Sequence, residues 1–267
     1  MPQIENILLV GCGNMAGAML RGWLAGGLAA ERFTVADPAK PALPEGVRSL
    51  EVVPAAEKFD AILLGVKPQL LARVTPQVAP LAGAGTTVLS LLAGVDLATL
   101  AQTFPEAAAH VRVMPNLAVE LGKAPIALAE RGLDEDGRAA LLALMAPLGT
   151  PEWVGEEDFD LVTALAGSGP GFVYRFIDSL AAAAADLGLE REQADRLALA
   201  MVEGAAALAA ASPHSPAELA RRVASPGGMT QEGLDVLDRD GALVRLLTET
   251  LRAARDRGAQ LAEEARN

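Results

Sequence analysis

Short continuous apolar runs punctuate the first part of the chain, and each ends at glycine, proline or a charge. Ile7-Leu8-Leu9-Val10 stops at Gly11. A run that is apolar at every position suits a strand buried on both faces, as in a parallel sheet. Phe33 to Asp37, Asp60 to Val66, Thr87 to Leu92 and His110 to Met114 repeat the pattern. Met15 to Leu24 reads as a helix stopped by Gly26-Gly27, and helical stretches fit between most of the strands. This alternation predicts right-handed βαβ crossovers and an open parallel sheet. Ligands of such sheets bind beyond the carboxyl ends of the strands. The breaks at Gly11, Lys67-Pro68, Ala93-Gly94 and Pro115-Asn116 fall at those ends and are expected to line one edge.

Beyond about residue 160 the strand-like runs stop. Gly171 to Leu187, Glu190 to Ala211, Pro216 to Val223, Gln231 to Leu237 and Ala242 to Ala265 read as helices rich in alanine and leucine. The predicted architecture is an α/β domain over 1–160 followed by an all-α domain over 161–267. So many alanines give the second part little bulk for a core of its own. It is expected to complete that core against another subunit.

Composition narrows the functional classes. Half of the 267 residues are apolar, enough for a sizeable core. The net charge of −12 and an aromatic content of 3% argue against nucleic acid or an anionic membrane as a partner. One cysteine, Cys12, rules out an internal disulfide and a multi-cysteine metal site, and a reducing, cytoplasmic setting is the economical reading. The isolated His110 and His214 offer no zinc constellation. Met1 to Asn6 lacks the basic region of a signal peptide, and no apolar stretch reaches the length of a membrane span.

Gly11-Cys12-Gly13-Asn14-Met15-Ala16-Gly17 follows the first strand and opens the first helix. Such a loop lets backbone approach a pyrophosphate, with the helix N-terminus supplying N–H groups and partial positive charge. Alanine at the third glycine position is an accepted variant. Cys12 reads as a small buried hydrophobe, since no base lies near it in sequence. Asp37 ends the next strand, where an acid accepts from a ribose 2′-hydroxyl and favours NAD; Lys40 offers a contact for a 2′-phosphate instead. The sequence leaves that choice open. A second glycine turn, Ser225-Pro226-Gly227-Gly228-Met229-Thr230, runs into a helix expected to start at Gln231. Its N–H groups suit an anion, and Thr230 suits an N-cap equally well.

Taken together, Gly11 to Met15, Val66-Lys67-Pro68-Gln69, Ser90 to Gly94, Arg112 to Asn116, Gly167 to Pro170 and Ser225 to Thr230 resemble the pyrroline-5-carboxylate reductase family over nearly the whole chain. The resemblance implies a Rossmann-type N-terminal domain and a helical dimerisation domain. It also implies NADPH- or NADH-dependent reduction of (S)-1-pyrroline-5-carboxylate to L-proline. Gly11, Cys12, Gly13, Asn14, Met15, Asp37, Val66, Lys67, Pro68, Ala93, Met114, Pro115 and Asn116 become the expected cofactor contacts, with Asn116 on the nicotinamide carboxamide. Ser225, Gly227, Gly228, Met229 and Thr230 become the carboxylate cradle, with the Thr230 hydroxyl near the reacting nitrogen. Gly167 to Pro170 becomes a hinge or helix start, and His110 and His214 bystanders. The family pattern also implies a homodimer, in some members a larger ring of dimers. Leu117-Ala118 and Gly171-Phe172 depart from it, where Thr-Pro and Ala-Tyr are usual. Two rivals remain: a related imine or β-hydroxyacid reductase, and a non-catalytic nucleotide-binding redox sensor. Against the β-hydroxyacid form, Gly169 to Leu187 contains no lysine for the proton donor expected there.

Overall fold

The computed structural model describes residues 4–266. Its sheet has eight strands: β1 (Ile7–Val10), β2 (Phe33–Ala36), β3 (Arg48–Leu50), β4 (Ala61–Leu64), β5 (Thr87–Ser90), β6 (Ala109–Met114), β7 (Ala124–Arg131) and β8 (Gly149–Trp153). They lie in the order β3-β2-β1-β4-β5-β6-β7-β8. Pairing is parallel from β3 through β6, antiparallel between β6 and β7, and parallel again between β7 and β8. The five strands expected from apolar runs are β1, β2, β4, β5 and β6. The parallel core therefore matches the pattern in the sequence, while β3, β7 and β8 extend it.

Physical reasons separate the two groups. All four residues of β1, β2 and β4 are buried, because helices cover both sides of the sheet. β3 is a three-residue edge strand with two exposed positions. β8 forms the other edge and carries Pro151 among half-exposed and exposed residues; proline is tolerated there because an edge strand can spare an N–H. β7 begins Ala124-Pro125 and has no clean alternation.

The helices are α1 (Asn14–Ala25), α2 (Leu71–Val78), α3 (Leu97–Thr103), α4 (Glu135–Met145), α5 (Phe159–Val162), α6 (Gly169–Asp186), α7 (Arg191–Ala211), α8 (Pro216–Val223), α9 (Met229–Asp238) and α10 (Ala242–Arg266). Asp96 and Asp134 cap α3 and α4 by accepting from the N–H groups of Thr99 and Gly137. The strand period of two splits β1 between two cores. Ile7 and Leu9 join Trp23 and Met19 of α1 and Leu144 of α4, whereas Leu8 and Val10 join Val78, Leu100 and Phe159. Trp23 stacks on Phe33 at 5.3 Å and donates its indole N–H to the Leu144 carbonyl at 2.8 Å.

By its contacts the chain forms two compact units, one running to Ser168 and including the end of α10 from Ala253, the other Gly169–Arg252. Within the second unit α6 and α7 pack through Ala181, Ala194 and Ala198, the buried side chains of that unit among the described residues. Val173, Tyr174, Phe176, Leu197, Leu208 and Leu246 are all exposed in the single chain. No single helix among the described residues is long and apolar enough to cross a membrane.

The packing of α1 makes one position decisive. A Cβ on Gly22 would lie 2.3 Å from the Val119 carbonyl oxygen and 2.7 Å from Leu148 Cδ2. Gly22→Ala is therefore expected to cost about 1–3 kcal/mol through overpacking, read as a lower urea midpoint at constant m-value. An unchanged midpoint would mean that α1 and the turn at Val119 separate freely.

Candidate functional site

At the carboxyl edge of the sheet the chain leaves β1 through Gly11 at φ +84. Its N–H still donates to the Ala36 carbonyl at 2.9 Å, so the ladder runs into the loop. A Cβ on Gly11 would stand 2.8 Å from Val66 Cγ1. One on Gly65 would stand 2.5 Å from the Gly11 oxygen and 2.8 Å from Ala16 Cβ. The loop is thus pressed against the end of β4, and small residues at 11, 16 and 65 make that approach feasible. Gly13 is different, because a Cβ there would meet nothing within 4 Å. It is the N-cap of α1, with no side-chain cap and no acid in the first turn. The first N–H groups of α1 therefore keep their partial positive charge for a ligand.

A cleft of about 400 Å³ opens at this loop, lined by Gly11, Gly13, Asp37, Glu51, Lys67 and Arg73 among others. It sits between β1 and β4, where the strand order reverses. Asp37 Oδ2 accepts from the Cys12 N–H at 2.7 Å, and Oδ1 accepts from the Ala39 N–H at 2.8 Å. Lys40 pairs with Glu51. Burial first, then the nearby Asp37 carboxylate, pushes the Cys12 thiol up, with Arg21 opposing. A buried thiol that resists ionisation is no nucleophile.

Of the expected cofactor residues, Gly11, Gly13, Asp37, Val66 and Lys67 come together on this cleft. Asn14 and Met15 form the first turn of α1, and Cys12 is turned into the protein. Pro68 starts a short 3₁₀ turn at Pro68–Leu70, with Lys67 as its N-cap. Ala93 lies beyond β5, Met114 ends β6 and Pro115 follows it, all on the same edge, and none of the three lines the cleft. Gly65, Glu51 and Arg73 were missed. Gly65 carried a legible signal, a glycine at the end of a buried run, whereas Glu51 and Arg73 are brought in by topology.

Two expectations need correction. Asn116 does not offer its whole amide to a nicotinamide carboxamide, since one N–H and one lone pair are already used inside the protein. Its Nδ2 donates to the Ala166 carbonyl at 2.9 Å and its Oδ1 accepts from the Ala118 N–H at 2.9 Å, in a side chain only 5% exposed. Asn116 ties the end of β6 to the π-helical turn Thr163–Gly167. Arg112, two turns of the pleat earlier, is buried as well, bonded to Glu156 at 3.1 Å and lying 3.8 Å over the Phe159 ring.

The second correction concerns the turn at 225–230. The helix starts at Met229, with Gly228 as N-cap, so Thr230 is not the cap. Gly227 adopts φ +68, and the Gly228 N–H donates to the Ser225 carbonyl at 2.8 Å. That N–H is spent inside the turn and is withdrawn from the proposed cradle. The N–H groups of Met229 and Thr230 occupy the first turn of α9, where a helix leaves donors unpaired. Ser225, Met229 and Thr230 are exposed.

A glycine loop feeding an open helix N-terminus, at the switch point of a 3-2-1-4-5-6 sheet, defines a Rossmann-type dinucleotide-binding protein. Residues 6–94 match the family model described as NADP oxidoreductase coenzyme F420-dependent, and residues 156–261 the model described as pyrroline-5-carboxylate reductase dimerisation. Pyrroline-5-carboxylate reductase of Pseudomonas aeruginosa is 32% identical, with 97% of each chain covered. That of Aquifex aeolicus is 38% identical over 70% of this chain and 69% of its own. The solved structure of a pyrroline-5-carboxylate reductase from Coxiella burnetii superposes with a TM-score of 0.88 at 29% identity, covering 97% of this chain and 99% of that one. The chain belongs to the pyrroline-5-carboxylate reductase family.

The two loop glycines separate folding from binding. Gly13→Val should fold with an unchanged melting temperature and lose nucleotide binding, because its side chain grows into open space over the helix N-terminus. Gly11→Val should lower the melting temperature, since it combines a positive φ with a clash on Val66. Thermal melts with and without nicotinamide dinucleotide check both, and normal affinity in Gly13→Val would refute the loop's role.

Proposed function

We propose that this protein reduces (S)-1-pyrroline-5-carboxylate to L-proline with NADH or NADPH, the last step of proline formation. A bound nicotinamide would supply hydride to the imine carbon; with one proton at nitrogen, imine and NAD(P)H would become amine and NAD(P)⁺. The observation that carries this reading is the glycine loop with its open position at Gly13, in a chain related to these reductases over nearly its whole length. Gly11, Gly13 and the first turn of α1 fit a dinucleotide pyrophosphate, and Asp37 fits the adenosine ribose. Asn14, Met15, Val66, Lys67 and Pro68 would border the cofactor, and Ala93, Met114 and Pro115 its nicotinamide end. Asn116 would act there through the backbone it holds.

Ser225, Gly227, Met229 and Thr230 would bind the substrate carboxylate, and the Thr230 hydroxyl would orient the ring nitrogen. Threonine is a weak acid, so orientation is the larger part of its role. Residues 1–160 would carry the nucleotide site, and residues 161–267 would supply the substrate turn and pair with a second copy. The apolar side chains exposed along α6, α7 and α10 support a homodimer, and larger rings of dimers remain compatible with it. The acidic balance supports a protein that acts without nucleic acid or an anionic membrane as partner, and the single cysteine fits a reducing, cytoplasmic setting.

Nicotinamide absorbance followed at 340 nm with pyrroline-5-carboxylate tests the activity, and proline must appear in equal amount. Binding without turnover would favour the redox-sensor reading. Thr230→Ala is expected to lower kcat by roughly one to two orders of magnitude with nucleotide affinity kept, as for a lost positioned hydrogen bond. Unchanged kcat would remove Thr230 from the site.

A further inference from the structure

We infer that the cleft selects a nicotinamide dinucleotide without a 2′-phosphate, and that Asp37, with Glu51 beside it, makes the selection. The inference rests on the cofactor reading above and goes further, since it distinguishes NADH from NADPH.

Asp37 is held in place. Both carboxylate oxygens take backbone N–H groups, from Cys12 at 2.7 Å and from Ala39 at 2.8 Å, and its own N–H donates to Leu50 at 3.0 Å. Turning the carboxylate away from an arriving phosphate would break two charge-assisted hydrogen bonds, one of them to the glycine loop itself. Each oxygen keeps a second lone pair, which a ribose 2′-hydroxyl can satisfy and a phosphate cannot. A phosphate monoester there brings like charge against a fixed carboxylate.

The donors that would hold a 2′-phosphate are missing or engaged. Pro38 has no N–H. The Ala39 N–H is taken by Asp37 Oδ1. The Lys40 N–H donates to the Asp37 carbonyl at 3.1 Å, and the Lys40 ammonium pairs with Glu51. Glu51 follows β3, whose pairing with β2 sets Leu50 opposite Ala36 and brings the next residue, Glu51, alongside Asp37. Glu51 lines the same cleft. The remaining cations of the lining, Lys67 and Arg73, come from the segment after β4, on the other side of β1 from β2 and β3.

The test is a pair of titrations on the full chain, NADH and NADPH each followed by nicotinamide fluorescence to give Kd. NADH is expected to bind at least about tenfold more tightly, the scale of a like-charge penalty. Asp37→Asn, which keeps an acceptor for the Cys12 N–H, should cut that ratio about tenfold. Glu51→Gln, on an exposed edge, should cut it less. Circular dichroism melts confirm that both variants fold. Equal or tighter NADPH binding by the unaltered protein, or an unchanged ratio in Asp37→Asn, would overturn the inference and leave the reductase reading standing. Tight NADH binding without reduction of pyrroline-5-carboxylate would sink the reductase reading and leave the inference intact. Failure to bind either nucleotide would remove both.

Discussion

The close approach of the glycine loop to the end of β4 is the constraint on which the site depends. Gly65 could not carry a side chain without striking the Gly11 oxygen and Ala16. Because it carries none, the loop seats on the sheet and α1 starts at a fixed height above it. The first N–H groups of α1 and the Asp37 carboxylate then face one cleft. The Cys12 N–H, bonded to Asp37, links the loop to the end of β2 and fixes the distance between the start of α1 and the carboxylate. Three small residues and one carboxylate thus set the geometry before any ligand arrives, and preorganisation of this kind lowers the ordering cost of binding.

The second unit follows a different rule. Its helices meet through alanines, so they approach closely and bury little apolar area each. A single unit of this kind leaves valine, leucine and aromatic side chains exposed. An apolar surface so extended on a lone chain marks an interaction face. The dimerisation model covers residues 156–261, a stretch that contains this unit. Stability of this unit is therefore tied to association, and its folding free energy depends on chain concentration.

What could be read from the sequence follows from how local each signal is. The inner strands announced themselves because helices on both faces demand apolar residues at every position. β2 was read one residue too long, through Asp37, for a physical reason: the Asp37 N–H continues the ladder to Leu50. β7 and β8 were hidden by Pro125 and Pro151, which an edge or irregular strand tolerates and a sequence pattern penalises. The loop glycines and Asp37 were legible because their chemistry needs particular residue types at short spacing. Glu51 was not, since only strand register brings it beside Asp37. The structural engagement of Asn116 was not legible, because its partner, the Ala166 carbonyl, lies fifty residues away and is offered by a π-helical turn that no local pattern announces.

That π turn gives the Asn116 contact its meaning. A π-helical turn shifts the hydrogen-bond ladder to five residues, as in the Ser168 N–H to Thr163 carbonyl bond at 3.0 Å. The Ala166 carbonyl within it accepts from a side chain instead. A few residues upstream, Arg112 buries its charge between Glu156 and the Phe159 ring, and Glu156 also accepts from the Leu97 N–H that opens α3. An ion pair buried on its arginine side contributes little net stability against desolvation, but separating the partners would strand the buried guanidinium. Arg112 and Asn116 together therefore fix the end of β6 against the segment from Glu156 to Gly167. Met114 and Pro115 stand between those two anchors. A segment at the carboxyl edge of the sheet held from both sides in this way keeps its backbone position without an anchoring side chain of its own.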